Sequence, residues 1–130
     1  MIVKHVTSNE LHDWWPFVKQ GLEKIQSKTT EDWIVEDIYA NCLFGKSLLW
    51  VYIVDNRPVA FAVILPEGQT AHVWCGWTCV PGMLDQYIAE TEKILKSANY
   101  TKISFSSWRP GWNKAAYKHG FKPRLWVKEL

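Results

Sequence analysis

Apolar and polar positions follow two rhythms along this chain, and the switches between them mark out its elements. Residues 2 to 7, Ile-Val-Lys-His-Val-Thr, alternate loosely as a first strand, and Ser8 or Asn9 offers an N-cap ahead of Glu10 and Leu11. Leu11, Trp14, Trp15, Val18, Leu22 and Ile25 then recur at helical spacing, with Pro16 tolerable because it falls early in the helix. Thr30 followed by Glu31, Asp32 and Trp33 reads as a second helix start, with acids at the positive end of the macrodipole. Its apolar face would be Trp33, Ile34, Ile38, Cys42 and Leu43, and Gly45 would end it.

The rhythm then shortens. Leu48 to Val54 is an apolar run rich in β-formers, Asp55-Asn56-Arg57-Pro58 reads as a turn, and Val59 to Leu65 completes a hairpin. Beyond Pro66-Glu67-Gly68-Gln69, Ala71 to Val80 reads as a third antiparallel strand, with a bulge expected at Gly76. Gly82 to Ala98 returns to helical spacing through Leu84, Tyr87, Ile88, Thr91, Ile94 and Leu95, and Asn99 is its stop. Lys102 to Trp108 alternates again, with Ile103 and Phe105 on one face. A short helix over 111 to 119, Gly120 in the left-handed cap and a final strand over 121 to 128 complete the order β-α-α-β-β-β-α-β-α-β.

Composition narrows this to one globular domain over 1 to 130. The chain has 130 residues, 48% of them hydrophobic, so one core can form and a second has no room. No apolar run approaches the roughly 20 residues needed to span a bilayer, and the start MIVKHVTSNEL lacks signal-peptide character, which implies a cytoplasmic setting. Cys75 and Cys79 would lie about 13 Å apart on one strand, too far to pair. With Cys42 they read as buried reduced thiols, and no spacing of cysteine and histidine suggests a metal site. Charge is lopsided: residues 1 to 101 carry 8 basic and 12 acidic side chains, residues 102 to 130 carry 7 and 1. Such a basic end suits a phosphate-bearing ligand, or is simply a solvated surface.

The closing stretch carries the sharpest signal. Arg109-x-x-Trp112-x-x-x-Ala116-x-x-x-Gly120-Phe121, together with the element order, resembles the GNAT (acetyltransferase-like) fold, whose domains often end in Asn-x-x-Ala-x-x-x-Tyr-x-x-x-Gly-Phe. The resemblance covers essentially the whole chain, and Gly120-Phe121 matches directly. It implies an α/β (α+β) fold with a mixed, mostly antiparallel sheet. The Arg-x-Gly-Trp variant looks like small GNAT-like proteins encoded by bacteriophages, which implies a phage or prophage source and a host-cytoplasmic or virion location.

That resemblance implies chemistry which can be sought residue by residue. Acetyl transfer needs acetyl-CoA held by its pyrophosphate, a base for the amine and an acid for the departing thiolate. The family holds the pyrophosphate on backbone amides of an Arg/Gln-x-x-Gly-x-Gly/Ala loop at a helix N-terminus. The matching stretch here runs from Val80 to Tyr87, without the arginine or the glycine pair, and Asp85 puts a negative charge where it would repel pyrophosphate. The implied cofactor residues are Trp77, Thr78, Cys79, Val80, Gly82, Met83 and Arg109, with Trp74, Trp77 and Trp108 flanking a cleft opened by the bulge. Nine tryptophans must also be buried somewhere, so these rings read first as core.

Ala116 occupies the position of the family's acidic tyrosine, leaving Tyr117, about 100° away on a helix, as the available hydroxyl. His72 and Glu36, with Asp37 beside it, are the candidate bases, each also readable as a structural or solvated group. Trp112 and Phe121 read first as packing residues, and Arg109 as an anion site or a carboxylate partner. Two functions stand side by side: a divergent acyl-CoA-dependent N-acetyltransferase acting on an amine, and a non-catalytic GNAT-fold structural or host-interaction protein working through exposed tryptophans and the basic end. The implied partner is an amine acceptor or a protein, with a homodimer open and no membrane. Nucleic acid is not expected, because the basic and aromatic spacing matches no binding module.

Overall fold

The computed structural model describes residues 1–28, 32–107, 112–124 and 126–130. Its elements are β1 (Ile2–Val6), α1 (Leu11–Gln26), α2 (Val35–Leu43), β2 (Leu48–Val54), β3 (Arg57–Glu67), β4 (Thr70–Thr78), α3 (Leu84–Ser97), β5 (Lys102–Phe105) and α4 (Trp112–Lys118). The five strands form one sheet in sequence order, antiparallel from β1 to β4, with β5 parallel to β4. This is the expected mixed, mostly antiparallel α+β architecture.

The sheet is covered on both faces. One face packs Leu49, Val51, Phe61, Val63 and Cys75 against Leu11, Val18 and Leu22 of α1 and Ile38 and Cys42 of α2. The other packs Trp50, Tyr52, Ala60, Ala62 and Ile64 against Tyr87 and Leu95 of α3. Burial on both faces explains why β2 and β3 read as apolar runs and not as strict alternations. Asp55 and Asn56, both at positive φ, make the two-residue turn that joins them.

Several boundaries depart from the sequence reading. The first helix is not capped by Ser8 or Asn9. Glu10 holds that position, its carboxylate accepts from the Thr7 hydroxyl at 2.8 Å, and the Ser8 hydroxyl donates instead to the Leu43 carbonyl at the end of α2. The second helix begins at Val35, where the Asp37 carboxylate takes the Ile34 amide at 3.0 Å, so Ile34 and Leu43 are exposed while Val35 joins the core. The proposed start at Thr30 and Glu31 lies outside the described residues. Cys42 and Cys75 are buried as expected, but Cys79, just past the end of β4, is exposed.

The end of the chain departs most. Over 121–124 and 126–130 the described residues form no strand, and Trp126 is 85% exposed. Pro123 has no amide to give a ladder, and Lys122, Arg124 and Lys128 are cations with nothing to gain from burial in a sheet. Gly120, by contrast, adopts the left-handed conformation (φ 84°) anticipated for it, and the Phe121 amide returns to the Ala116 carbonyl at 3.0 Å.

α1 lies close on the sheet because one of its turns has no side chain. A Cβ at Gly21 would stand 2.5 Å from ring carbons of both Phe61 and Trp77. Gly21→Ala should therefore cost about 1–2 kcal/mol net, overpacking less the roughly 1 kcal/mol that alanine gains over glycine within a helix. A urea midpoint at or above that of the wild type would show that the two rings give way freely.

At the opposite end of α1, Lys4 at 2.7 Å and the Thr7 hydroxyl hold the Glu10 carboxyl down to about 2, against an ordinary 4.5. A depressed carboxylate contributes fully above its unfolded value and loses that contribution as pH falls through its folded one. The stability gap between wild type and Glu10→Gln should thus be constant near neutrality and close between pH 4.5 and about 2, read from denaturation midpoints across that window.

Candidate functional site

The site follows from one extra residue in β4. Opposite β3, Val63 pairs with Cys75 and Ile64 with Val73, which leaves Trp74 as the bulged residue. The expected bulge is thus present but two residues earlier than Gly76, which stays in register opposite Ala62. Below the bulge, β5 pairs with β4 only from Thr70↔Lys102 to Val73↔Phe105. Above it the two strands part, with Ser106 and Ser107 already off the ladder.

A cleft of about 480 Å³ fills this gap. Residues 73–78 of β4 form one wall, and Phe105, Ser106, Ser107, Trp112 and Phe121 the other. Lys24, Lys28 and Trp33 border it on the α1 side, and Leu84, Tyr87, Ile88 and Thr91 on the α3 side. Because α1 and α3 cover opposite faces, the cleft passes through the sheet. Ala60, Ala62 and Gly76 keep its α3 side wide.

Hydroxyls organise the α3 side. The Thr78 hydroxyl accepts from the Val80 amide at 3.1 Å, and it lies 2.9 Å from the Val80 carbonyl and 2.9 Å from the Tyr87 hydroxyl. These bonds tie the loop after β4 to the first turn of α3. Tyr52 and Thr91 share a buried hydroxyl–hydroxyl bond across the same side, and burial pushes the Tyr52 phenol above its ordinary range.

The start of α3 is open to an anion. Its N-cap, Met83, makes no side-chain capping bond, so the first-turn amides keep their unpaired donors. Asp85 does not occupy that position. One of its carboxylate oxygens meets Lys118 Nζ at 3.2 Å and the other meets His119 Nε2 at 2.9 Å, both at the end of α4. The Lys118 ammonium, then His119, holds the Asp85 carboxyl below its usual range. The charge expected to repel a pyrophosphate is therefore paired with α4.

The sequence-predicted site residues divide. Trp77 and Thr78 line the cleft, as does Trp74, while Val80, Gly82 and Met83 form the loop that leads into α3, and Cys79 sits in that loop with its thiol 3.4 Å from the Val59 carbonyl. Trp112 and Phe121 both pack on Phe105, with ring centroids 5.1 and 4.9 Å away, and both face the cleft, so packing and lining coincide. Three candidates for catalysis are elsewhere. His72 is hydrogen-bonded to Ser104 at 2.8 Å on the closed part of the β4–β5 pair. Glu36 borders a separate hollow between α1 and α2 with His12, Trp15 and Tyr39, and Tyr117 is 65% exposed on α4. Arg109 and Trp108 lie outside the described residues. Tyr52, Tyr87, Thr91, Lys24 and Lys28 were not anticipated. The first three were legible only as apolar-face positions, and the lysines only as surface charges.

Among the described residues no group of three or more His, Cys, Asp and Glu side chains could hold a metal ion, and no helix is long and apolar enough to cross a membrane.

Solved structures share this architecture throughout. A probable acetyltransferase superposes with a TM-score of 0.69 at 11% identity over 100% of this chain and 96% of its own. The ribosomal-protein-alanine N-acetyltransferase of Brucella melitensis biovar Abortus 2308 gives 0.66 at 11%, covering 100% and 98%. The aminoglycoside N-acetyltransferase AAC(6')-Iy, solved in complex with CoA, gives 0.60 at 12%, covering 99% and 97%. No protein-family profile matches the sequence, and no curated protein is significantly similar to it. The chain has the GNAT fold.

The α3–α4 tie has a measurable consequence. Asp85→Asn removes an anion beside the open amides and frees Lys118 and His119, so inorganic pyrophosphate should bind about two- to fivefold more tightly, the effect of one charge near a helix N-terminus. Calorimetry at low salt measures this, and unchanged or weaker affinity would mean that Asp85 is needed to place those two side chains.

Proposed function

We propose that this protein is a divergent acyl-CoA-dependent N-acetyltransferase. The observation that carries the reading is the cleft through the sheet, bordered by the uncapped start of α3 on one face and by α1 on the other. An acyl-CoA lying along residues 74–85 would set its pyrophosphate at the amides of α3 and pass its pantetheine arm between β4 and β5. Its thioester would then reach the α1 side, where an amine acceptor binds. Among the structural neighbours, an aminoglycoside acetyltransferase carries CoA, which supports this choice of cofactor.

In this reading the chain contributes position more than acid–base chemistry. The exposed amide groups of β4 above the bulge hold the cofactor arm, and Thr78 and Tyr87 fix the loop that meets the phosphates. Tyr117, exposed on α4, does not line the cleft, so it does not serve as the acid in this reading. We place the protein in the cytoplasm, with a phage source following from the closing motif. Ala116 at the family's acid position favours a second reading, a GNAT-fold protein that keeps the cleft without the reaction.

Acetyl-CoA titrated into the protein should bind saturably below about millimolar concentration and quench the fluorescence of cleft-lining Trp74 and Trp77. Gly76→Val provides the control. A Cβ there meets only the Phe61 carbonyl oxygen at 3.8 Å, so the fold should survive while the side chain fills the cleft and abolishes binding. Absence of saturable binding to the wild type would remove the enzyme reading, and full affinity in the folded variant would move the cofactor out of this cleft.

A further inference from the structure

The charge of the cleft constrains the acceptor. Every acyl acceptor must present an unprotonated nitrogen, and alkylamines at neutral pH need a base to provide one. Among the described residues lining the cleft there is no aspartate, glutamate or histidine. The ionisable groups among them are Lys24 in the last turn of α1, Lys28 just beyond it, the phenols of Tyr52 and Tyr87, and the buried Cys75 thiol. Lys24 Nζ stands 5.6 Å over the Trp77 ring, and Trp33, Phe61 and Trp74 continue the aromatic lining.

Such a surface disfavours a polycation. Its described residues offer no carboxylate to receive one, and two ammonium groups at its border oppose entry. It suits a flat apolar body carrying an anion, with the rings stacking on the body and the lysines meeting the charge. We infer that the acceptor side of this cleft takes an aromatic amine bearing an acidic group. This rests on the acyl-transfer reading for its reaction, not for its binding preference. The nitrogen of an arylamine is already unprotonated at neutral pH. Its lone pair attacks the thioester carbon, the C–S bond breaks, and the proton lost from nitrogen ends on the released thiolate. The step balances as amine plus thioester to amide plus thiol, with no protein carboxylate required.

Binding and turnover test the two parts separately. Ligand-observed NMR without cofactor compares 4-aminobenzoate, 4-aminobenzamide and spermidine on the full chain and on Lys24→Gln/Lys28→Gln, whose replaced side chains are exposed. The benzoate should bind about three- to tenfold more tightly than the amide, as expected for one or two exposed charge pairs, and the double variant should lose that preference. Equal binding of the amide or of spermidine, or a preference that persists in the double variant, would overturn the inference. So would a loss of CoA affinity in the double variant with the benzoate preference unchanged, because the lysines would then serve the cofactor. Thiol release from acetyl-CoA should be faster with 4-aminobenzoate than with 4-(aminomethyl)benzoate, and the reverse order would overturn the choice of an arylamine. A benzoate preference in a protein that does not bind acetyl-CoA would support the binding site and sink only the transfer reading.

Discussion

The arrangement of this protein hangs on the extra residue at Trp74. A strand that pairs without interruption on both edges cannot open, and β4 pairs along its full length with β3. The bulge increases the local bend of β4, so its lower half can remain paired with β5 while its upper half turns away. The gap exposes amide and carbonyl groups that a closed sheet would have consumed, and unmet backbone groups at a sheet edge seek a partner. An extended ligand arm with its own amides is the kind of partner that satisfies them. The aromatic residues then have to line a gap and a core at once, which is why Trp74 and Trp77 touch the α1-side core and the cleft together.

The second condition is that this gap connect two faces, and that depends on how closely α1 lies on the sheet. Gly21 lets the helix approach Phe61 and Trp77 at ring contact, bringing the last turn of α1 and its lysines to the border of the cleft. On the other face the Tyr52–Thr91 and Thr78–Tyr87 hydroxyl pairs join α3 to the sheet on the side of Ala60, Ala62 and Gly76. The passage therefore has an aromatic, cationic end and a hydroxyl-bearing end. The two ends of the passage thus differ in chemistry.

The architecture was legible in the sequence because both of its periods are strong: α1, the β2–β3–β4 meander and α3 fall where the apolar spacing puts them. Two of the misplacements share a physical cause, which is that local signals lost to distant contacts. Ser8 looks like a cap, yet its hydroxyl serves the end of α2, and Gly76 looks like the bulge, yet the ring of Trp74 gains contact with the core by taking the extra position. The final strand was over-read from apolar residues around Pro123, where a missing donor and flanking cations oppose pairing. The candidate site was only half legible. Motif spacing reached Trp77, Thr78 and the loop to Met83, but the facing side chains, Lys24 among them, come from a helix some fifty residues earlier, and no local pattern links them.

Asp85 shows how a sequence departure and a preserved site can coexist. Read along the chain, an acid in the first turn of α3 competes with any phosphate for the helix dipole. In the fold, the same carboxylate turns both oxygens toward Lys118 and His119, which come from the basic end of the chain. Part of the positive charge that follows residue 101 is thereby consumed in neutralising an acid of the part before it, and the amides of α3 remain uncapped. The packing of Trp112 and Phe121 on Phe105, more than this exposed pair, holds α4 at the far wall of the cleft. A family loop normally spends arginine and glycine on gripping the phosphates. Here the same place holds a tether between α3 and the end of α4. The aromatic rings and both lysines stand at the opposite, α1 end of the cleft.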